Sequence, residues 1–185
     1  MAPPGQHVTN KFPVLTFGGT PKIDLHTWQF RVFGLVDNQF TLDWKHFMKL
    51  PKVTVHAPFH CVTQWSRLEN TWEGVLFAEI MKHIAVKAKA KYVMAHCYGG
   101  YTTNIPINSL MSDDVLFAYR HDGQPLPPDH GGPLRLVIPQ KYGWKSAKWV
   151  NGLEFMGKDR PGFWENHGYH MNADPWKKQR FSSSR

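Results

Sequence analysis

Cysteine is scarce in this chain, since only Cys61 and Cys97 occur among its 185 residues. The sequence contains no Cys-x-x-Cys-His motif and no cysteine cluster, which excludes a covalently attached haem and an iron–sulfur cluster held by cysteines. The two cysteines could form one disulfide, but no secretory cysteine framework supports that pairing. If the protein performs redox chemistry, its cysteines therefore hold no second cofactor of these kinds.

Long apolar runs are also missing, since none approaches the roughly 18–20 residues that a membrane-spanning helix needs. The N-terminal residues 1–6 show no basic segment followed by an apolar one, which favours a cytoplasmic location. The net charge of +8 suits nucleic acid, an anionic surface or a phosphorylated ligand. Because no contiguous basic helix and no nucleic-acid module is recognisable, we expect no nucleic-acid partner.

The length and the aromatic content favour one domain with a walled pocket. The 185 residues fit a single domain, and 8 Trp, 12 Phe and 6 Tyr provide large rings for its interior. We expect a flexible arm at 1–11, one domain at 12–181 and a disordered tail at 182–185. Many short strands, long loops and two short helices, at 43–50 and 75–84, predict an α+β fold with a β-rich core.

Three predicted loops, each at the end of a strand, hold most of the reactive side chains. They cover residues 60–67, 96–104 and 130–148, and functional residues concentrate on loops held by a rigid scaffold. Cys61 lies in the first loop, where a thiolate can bind a soft metal or act as a nucleophile.

The cysteines and histidines by themselves leave several hypotheses open. Zinc could be held by His60, Cys61, His96 and Cys97, although no Cys-x-x-Cys spacing supports that site. A Cys–His hydrolase with Cys61 as nucleophile is a second reading. Either cysteine could instead be a small buried hydrophobic residue, which is the better interpretation of Cys97.

The third loop carries the pattern of an anion site. Its Gly131-Gly132-Pro133 segment lets the backbone approach a ligand closely, because glycine has no side chain to clash. Arg135 and Lys148 supply positive charge, and residues 146–148 can present backbone N–H groups and a hydroxyl to one anionic group. A hairpin with surface cations explains this segment equally well.

The chain resembles the sulfite oxidase family of molybdopterin-dependent oxidoreductases, and more narrowly its short, single-domain bacterial and archaeal members. The resemblance extends from residue 12 over nearly the whole chain. It rests on five segments in the same order: His-Cys-Val-Thr-Gln-Trp-Ser at 60–66, Gly-Tyr-Thr-Thr-Asn-Ile-Pro at 100–106, Gly-Gly-Pro-Leu-Arg-Leu-Val-Ile-Pro at 131–139, Lys-Ser-Ala-Lys-Trp-Val at 145–150, and Asp-Arg-Pro-Gly-Phe-Trp-Glu-Asn-His-Gly-Tyr-His at 159–170.

This resemblance implies the mixed, β-rich fold of the family's molybdopterin-binding domain and a molybdenum–molybdopterin cofactor. It implies that Cys61 is the protein thiolate on molybdenum and that Tyr101 lines the approach to the metal. Sulfite oxidases gather several arginines around the oxyanion site; here Arg67 is the one nearby candidate, and a surface position explains it equally well. The positions expected at the pterin and its phosphate are Phe12, Pro13, Val14, His60, Cys61, His96, Thr102, Asn104, His130, Arg135, Ser146, Ala147 and Lys148.

The implied reaction is oxygen-atom transfer, or a related two-electron step, at an oxo-molybdenum centre. The substrate would be a small oxyanion or oxide, and a separate electron-transfer partner is expected because the chain lacks a haem motif and the family's dimerisation domain. Related short members carry an acidic pair where this chain has Cys97-Tyr98-Gly99, so sulfite is not assigned as the substrate. The alternatives are a non-catalytic pterin- or phosphate-binding protein of the same fold and a zinc-binding protein.

Overall fold

The computed structural model describes residues 1–183 and shows short strands with a few short helices. The strands are β1 (His7–Val8), β2 (Gln29–Gly34), β3 (Phe40–Asp43), β4 (Val53–His56), β5 (Phe59–His60), β6 (Trp65–Arg67), β7 (Thr71–Leu76), β8 (Tyr92–Cys97), β9 (Thr102–Pro106), β10 (Leu116–His121), β11 (Gln124–Pro125), β12 (Arg135–Val137) and β13 (Val150–Met156). The helices are α1 (Trp44–Phe47), α2 (Phe77–Met81), α3 (Ile107–Leu110) and α4 (Phe163–Asn166), with 3-10 turns at Tyr98–Gly100 and Pro128–His130. This composition confirms the predicted α+β, β-rich class.

Three sheets organise these strands. One has the order β3-β2-β13-β8-β9, and a second has the order β11-β10-β7-β4, with β12 also paired to β10. The small third sheet has the order β1-β6-β5. Pairing is antiparallel except between β2 and β13 and between β1 and β6. The three predicted loops are partly strand: the segment 60–67 includes β6, the segment 96–104 includes the start of β9, and the segment 130–148 includes β12.

Strand β2 shows how the core forms between the sheets. Its buried Phe30 and Val32 alternate with exposed residues, as expected for a strand with one face on a core. Phe30 packs on Phe117 of β10 with ring centroids 5.2 Å apart, and Phe47 of α1 contacts both rings. The main core therefore joins the two five-stranded sheets.

The helix predicted at 75–84 is shorter than expected. Val75 and Leu76 belong to β7, where they pair with Phe117 and Leu116 of β10, and the helix covers only Phe77–Met81. A short buried apolar run fits a strand and a helix equally, and the ladder with β10 decides between them. The helix predicted at 43–50 is also reduced, to α1, with the Asp43 carboxylate accepting a hydrogen bond from the His46 N–H.

The N-terminal segment, and the C-terminal segment as far as residue 183, contact the rest of the protein. The segment 1–11, predicted as a flexible arm, includes β1, which pairs in parallel with β6. Ser182 of the predicted disordered tail donates its backbone N–H to the Gly168 carbonyl, while residues 184 and 185 of that tail lie outside the described residues. Within residues 1–183, no helix has the length and apolar character needed to cross a membrane.

Candidate active-site pocket

Cys61 sits at the tip of a tight hairpin between β5 and β6. Its N–H donates to the Trp65 carbonyl at 2.8 Å, and the Gln64 N–H donates back to the Cys61 carbonyl at 3.1 Å. Gln64 has a φ of 73°, a left-handed conformation that closes the turn. The Cys61 sulfur lies 3.1 Å from the Thr63 hydroxyl. The turn thus fixes a free, buried thiol beside a polar side chain.

A cavity of about 520 Å³ opens beside this thiol. Cys61 and Thr63 form part of its wall, and the segments 12–19, 98–101 and 143–149 form most of the rest. Its volume lies in the range of small-molecule and cofactor pockets, about 300–1,000 Å³. The cavity therefore brings together residues from all three predicted loops.

Positive charge marks one part of the cavity wall. Lys148, Arg135 and His130 line it, and within the described residues no aspartate or glutamate does. Burial, followed by the charges of Arg135 and Lys148, lowers the pKa of His130, which favours its neutral form. The two other cations leave the cavity suited to an anionic ligand.

Arg135 is nearly inaccessible, with 2% of its surface exposed. One terminal guanidinium nitrogen donates to the His130 carbonyl at 2.8 Å and the other to the Ser146 carbonyl at 2.9 Å. Its Nε is buried without a hydrogen-bond partner in the described chain, and the guanidinium lies 5.1 Å from the Phe59 ring centroid. Arg135 therefore ties the two ends of the third loop together while its charge faces the cavity.

Lys148 connects the cavity to the segment in front of it. Its ammonium nitrogen lies 2.9 Å from the Leu15 carbonyl oxygen and 2.6 Å from the Thr16 hydroxyl. Burial, together with the charge of Arg135, lowers the pKa of Lys148 to about 8. Segment 12–19, which we call the strap, is thus fastened at its centre by a cation of the cavity wall.

The backbone of the third loop provides donors as well. The Ser146 hydroxyl accepts the Ile138 N–H at 2.9 Å, so it is engaged inside the protein. The backbone N–H groups of Ala147 and Lys148 donate to no acceptor in the described part of the chain. Successive free N–H groups beside a lysine form an arrangement that binds anions.

The two glycines before Pro133 serve a purpose other than the predicted one. A Cβ on Gly132 would lie 2.2 Å from the Leu126 carbonyl oxygen, and one on Gly131 would lie 3.1 Å from the Lys148 Cα. Gly131 also has a φ of 107°. Neither glycine lines the cavity. Their small size is therefore required by the close packing of this loop on its neighbours.

Aromatic rings form another part of the cavity wall, and sequence reasoning did not assign them to the site. Trp144, Trp164 and Tyr169 line the cavity, with Trp144 and Tyr169 ring centroids 5.0 Å apart. Phe17 of the strap packs on Phe163 at 5.1 Å. The high aromatic content predicted a walled pocket, but only the fold shows which rings meet there.

The structure brings together most, but not all, of the residues expected at the site. The cavity is lined by the predicted residues Phe12, Pro13, Cys61, Tyr101, His130, Arg135, Ser146, Ala147 and Lys148. The predicted residues outside the lining are Val14, His60, Arg67, His96, Thr102 and Asn104.

The polar residues outside the lining have other partners. The His60 ring bonds to the Ser66 hydroxyl at 2.8 Å, and burial, followed by the charge of the N-terminus, lowers the pKa of His60 to about 4. His96 lies 2.9 Å from the Glu154 carboxylate, and Asn104 accepts from Lys145. These groups hold the scaffold around the cavity.

Arg67 also points away from the cavity. It forms an ion pair with Asp122 at 2.6 Å and donates to Asn70 at 3.0 Å. Val14 is 48% exposed, and Thr102 lies in β9. The structure thus places the expected oxyanion-binding arginine in a separate polar cluster, with its charge already paired.

The geometry rules against the zinc alternative. In the described residues, no group of three or more His, Cys, Asp or Glu side chains is placed to hold a metal ion. His60 and His96 are bound to Ser66 and Glu154, and Cys97 is a buried core residue whose pKa is raised by burial.

A family model for the oxidoreductase molybdopterin binding domain matches residues 17–164. The chain belongs to this family. The molybdopterin-binding domain is 46% identical over 181 residues to the uncharacterized oxidoreductase YuiH of Bacillus subtilis, covering 97% of this chain and 91% of that protein. It is 30% identical over 172 residues to the putative protein-methionine-sulfoxide reductase subunit YedZ1 of Azospira oryzae, covering 90% of this chain and 64% of that protein.

A solved structure has the same fold. The sulfane dehydrogenase SoxCD from Paracoccus pantotrophus superposes with a TM-score of 0.68 at 23% identity, covering 76% of this chain and 41% of that one. Together with the family match, this confirms the molybdopterin-binding fold of the sulfite oxidase type. The protein is a molybdopterin-dependent oxidoreductase, and its cofactor is molybdenum bound to molybdopterin.

The cavity of the molybdopterin-binding domain suits that cofactor. Cys61 offers a soft sulfur, the ligand type that molybdenum shares with other thiophilic metals. The Lys148 ammonium and the two free backbone N–H groups offer positive charge and donors for a phosphate, and Arg135 adds positive charge at the cavity wall. The cavity therefore offers a ligand for the metal and donors for the phosphate of the cofactor.

Proposed function

We propose that Cys61 ligates molybdenum and that the protein catalyses oxygen-atom transfer, or a related two-electron redox step, on a small oxyanion or oxide. One observation carries this proposal: a free thiol and a cationic surface line the same cavity of about 520 Å³, and no carboxylate of residues 1–183 belongs to that lining. When bound, the molybdenum cofactor supplies the centre that exchanges an oxygen atom or two electrons with the substrate.

The protein's own residues hold the cofactor in this proposal. Lys148 and the backbone N–H groups of Ala147 and Lys148 bind the phosphate, and Arg135 adds charge from behind. Arg135 also keeps the loop ends at His130 and Ser146 in register, so the phosphate site is formed before the ligand arrives. Phe12 stacks on the His130 ring, with centroids 4.7 Å apart, and closes the inner side of the cavity.

The aromatic wall controls the approach of the substrate. Burial, followed by the charge of Glu165, raises the pKa of Tyr101 well above its ordinary value, so the phenol stays neutral. Its hydroxyl donates to the Trp144 carbonyl at 2.6 Å, which ties together two aromatic residues of the cavity wall. Tyr101 and Trp144 thereby exclude water and orient the substrate beside Cys61. We give Arg67 no direct contact with the substrate, because Asp122 already pairs its charge.

Metal analysis tests the ligand assignment. Protein made with an intact molybdenum-cofactor pathway should contain one molybdenum per chain, and Cys61→Ser should lose it. Cys97→Ser is the matched control, because Cys97 is buried in the main core, and it should keep its molybdenum. Stoichiometric zinc without molybdenum, or full molybdenum in Cys61→Ser, would sink the proposal.

A dye-linked assay then separates a catalyst from a non-catalytic binder of the cofactor. Sulfite, sulfoxides and N-oxides are the compounds to compare, in both the oxidising and the reducing direction. We expect turnover of at least one of these classes, with electrons exchanged with a separate partner that the dye replaces. Loaded protein without turnover of any of them would favour the binding protein. The cytoplasmic location stays a prediction.

A further inference from the structure

A buried ion pair lies behind the aromatic wall of the cavity. The Lys145 ammonium is 2.7 Å from Oε1 of Glu165, and the two side chains are 1% and 0% exposed. Removing two charges from water is unfavourable unless good geometry and further hydrogen bonds offset it. Because this ion pair lies next to the cavity, we asked which cavity residues it holds in position.

All hydrogen bonds to the Glu165 carboxylate converge on one oxygen. Besides Lys145, Oε1 accepts from the Trp144 indole N–H at 2.8 Å and from the Thr103 hydroxyl at 3.0 Å. The other oxygen, Oε2, is buried and has no hydrogen-bond partner in the described chain. Glu165 thus connects α4 to the third loop and to β9 through a single atom.

Trp144 is held at both of its ends by this arrangement. Its indole donates to Glu165, and the next residue along the chain, Lys145, bonds to the same carboxylate. Its carbonyl accepts the Tyr101 hydroxyl at 2.6 Å. Trp144 and Tyr101 both line the cavity that contains Cys61, whereas Glu165, Lys145 and Thr103 do not.

The carboxylate itself has little freedom to move. A Cβ on Gly162, the residue before α4, would lie 2.5 Å from the Thr102 carbonyl oxygen and 2.8 Å from Oε2 of Glu165. The start of α4 therefore packs directly on β9, and Glu165 is fixed against the sheet. A fixed acceptor can hold the movable rings bonded to it.

We propose that Glu165 is a positioning residue that holds Trp144, and through its carbonyl Tyr101, at the cavity wall and so sets the size of molecule that reaches Cys61. The inference rests on the proposed function in taking this cavity as the site. It goes beyond that function by assigning size selection to a residue that does not touch the cavity.

The test compares two double variants that both remove the buried ammonium. Lys145→Met with Glu165→Gln keeps an amide oxygen that accepts the Trp144 N–H. Lys145→Met with Glu165→Leu keeps the volume and removes the acceptor. Tyr101→Phe, which deletes one oxygen atom and leaves the ion pair intact, frees the other ring of the wall. Thr71→Val is the control, because it removes a hydroxyl that bonds to His56, away from both the cavity and Glu165.

The measurement is the rate at which Cys61 is alkylated in the full chain prepared without the cofactor, followed by peptide mass mapping. Iodoacetamide serves as the small reagent and N-phenylmaleimide as the bulky one. Both reagents react with the thiolate, so the ratio of their rates is insensitive to a change in thiolate population. A cooperative thermal transition of each variant shows that it is folded.

We expect the bulky-to-small ratio to rise about tenfold in the Glu165→Leu double variant and about threefold in Tyr101→Phe, since each loses one or more hydrogen bonds to the wall. The Glu165→Gln double variant and Thr71→Val should stay within about twofold of the parent, since neither removes the acceptor of the Trp144 N–H. A ratio unchanged in both the Leu variant and Tyr101→Phe would overturn the proposal and leave Glu165 a purely structural residue. If the Leu variant does not fold, Tyr101→Phe decides alone.

This outcome is independent of the metal. Altered alkylation in the variants, combined with a chain that takes up no molybdenum, would keep the positioning role and overturn the proposed function. Normal molybdenum loading combined with unchanged alkylation ratios would keep the proposed function and overturn the positioning role of Glu165.

Discussion

The ammonium of Lys148 is bonded to the carbonyl of Leu15, which lies 133 residues earlier in the chain, at a distance of 2.9 Å. The same ammonium lines the cavity at the point where we place the phosphate of the cofactor. The strap and an anionic ligand therefore share one cation. This relationship links cofactor binding to the segment that covers the cavity.

The first prediction concerns the charge of Lys148. Its pKa of about 8 means that the ammonium is present below that pH and lost above it. Sulfate keeps its charge over pH 7–9, so its affinity for the cofactor-free chain should fall as the pH rises through about 8. Lys148→Met should weaken sulfate binding at pH 7 by about 1.5–3 kcal/mol and abolish this pH dependence.

Calorimetric titration with sulfate at several pH values provides the measurement. Arg135, a charged neighbour of Lys148 whose pKa is lowered by burial to about 10, stays protonated in this range. Lys158→Met, at an exposed position away from the cavity, is the control and should bind sulfate like the parent. Affinity that stays constant from pH 7 to 9 would contradict the assignment.

The second prediction concerns acid stability. Burial lowers the pKa of both His60 and His121 to about 4, below the value near 6.5 of an unfolded histidine. Between these values the unfolded chain binds more protons than the folded one, so the free energy of unfolding falls as the pH drops from 6.5 to 4. In His60→Gln this decrease in the free energy of unfolding should be smaller than in the parent chain by on the order of 2 kcal/mol.

Urea denaturation at pH 7 and pH 4.5 tests this expectation. The control is Gln124→Asn, an exposed substitution that changes no titratable group and should leave the pH dependence as it is. Equal losses of stability in the parent chain and in His60→Gln would show that His60 does not titrate in this window.

The third prediction separates two roles of Arg135. Arg135→Ala leaves the buried carbonyls of His130 and Ser146 without a donor, so it should lower the free energy of unfolding by about 3 kcal/mol. It should also reduce the molybdenum content, because a charge near the phosphate is lost. Arg135→Lys restores the charge but cannot span both carbonyls, so it should recover molybdenum more fully than stability. Full molybdenum occupancy in Arg135→Ala would contradict a role for Arg135 in binding the cofactor.

The fourth prediction concerns Gly143, which faces the Phe59 ring next to Cys61. A Cβ at Gly143 would lie 2.5 Å from two ring carbons of Phe59, which is 8% exposed and packed in the core. Gly143→Ala should therefore lower stability by about 1–3 kcal/mol through overpacking. Phe59→Leu replaces the ring with a smaller side chain. Combined with Gly143→Ala, it should therefore reduce the loss of stability that Gly143→Ala causes.

Thermal denaturation of these variants is the measurement. Gly19→Ala is the control, since a Cβ there meets nothing within 4 Å. A melting temperature of Gly143→Ala equal to that of the parent would show that Phe59 can move away freely.

Some features of the site could be predicted because they depend on chemistry that is local in the sequence. Cys61 follows a strand and opens a loop, and the cations near 135–148 follow a glycine-rich turn, so both were identified as binding groups. Arg67 shows the limit of such reasoning. It is three residues from the end of the Cys61 turn, yet β6 directs it to Asp122, and sequence distance alone could not show which side of the strand faces the cavity.

The two helices illustrate the same limit in the fold. The apolar spacing at 75–84 fits a helix, but Val75 and Leu76 pair with β10 and so belong to a strand. This pairing joins residues that are far apart in the chain, and the local spacing of apolar residues cannot predict it. The aromatic wall could not be predicted from the sequence either, because Trp144, Trp164 and Tyr169 meet only when α4 packs on β9.

The sequence by itself determined the family, the β-rich class and the identity of the thiol and cations, since these depend on residue types in a fixed order. Only the tertiary structure decided which of them share one cavity, because that depends on how three sheets bring distant loops together. It also revealed that Glu165 and Lys145 lie buried behind the wall, where neither charge is paired with a neighbour in sequence. Contacts between residues far apart in the chain are set by packing, and packing is a property of the whole fold.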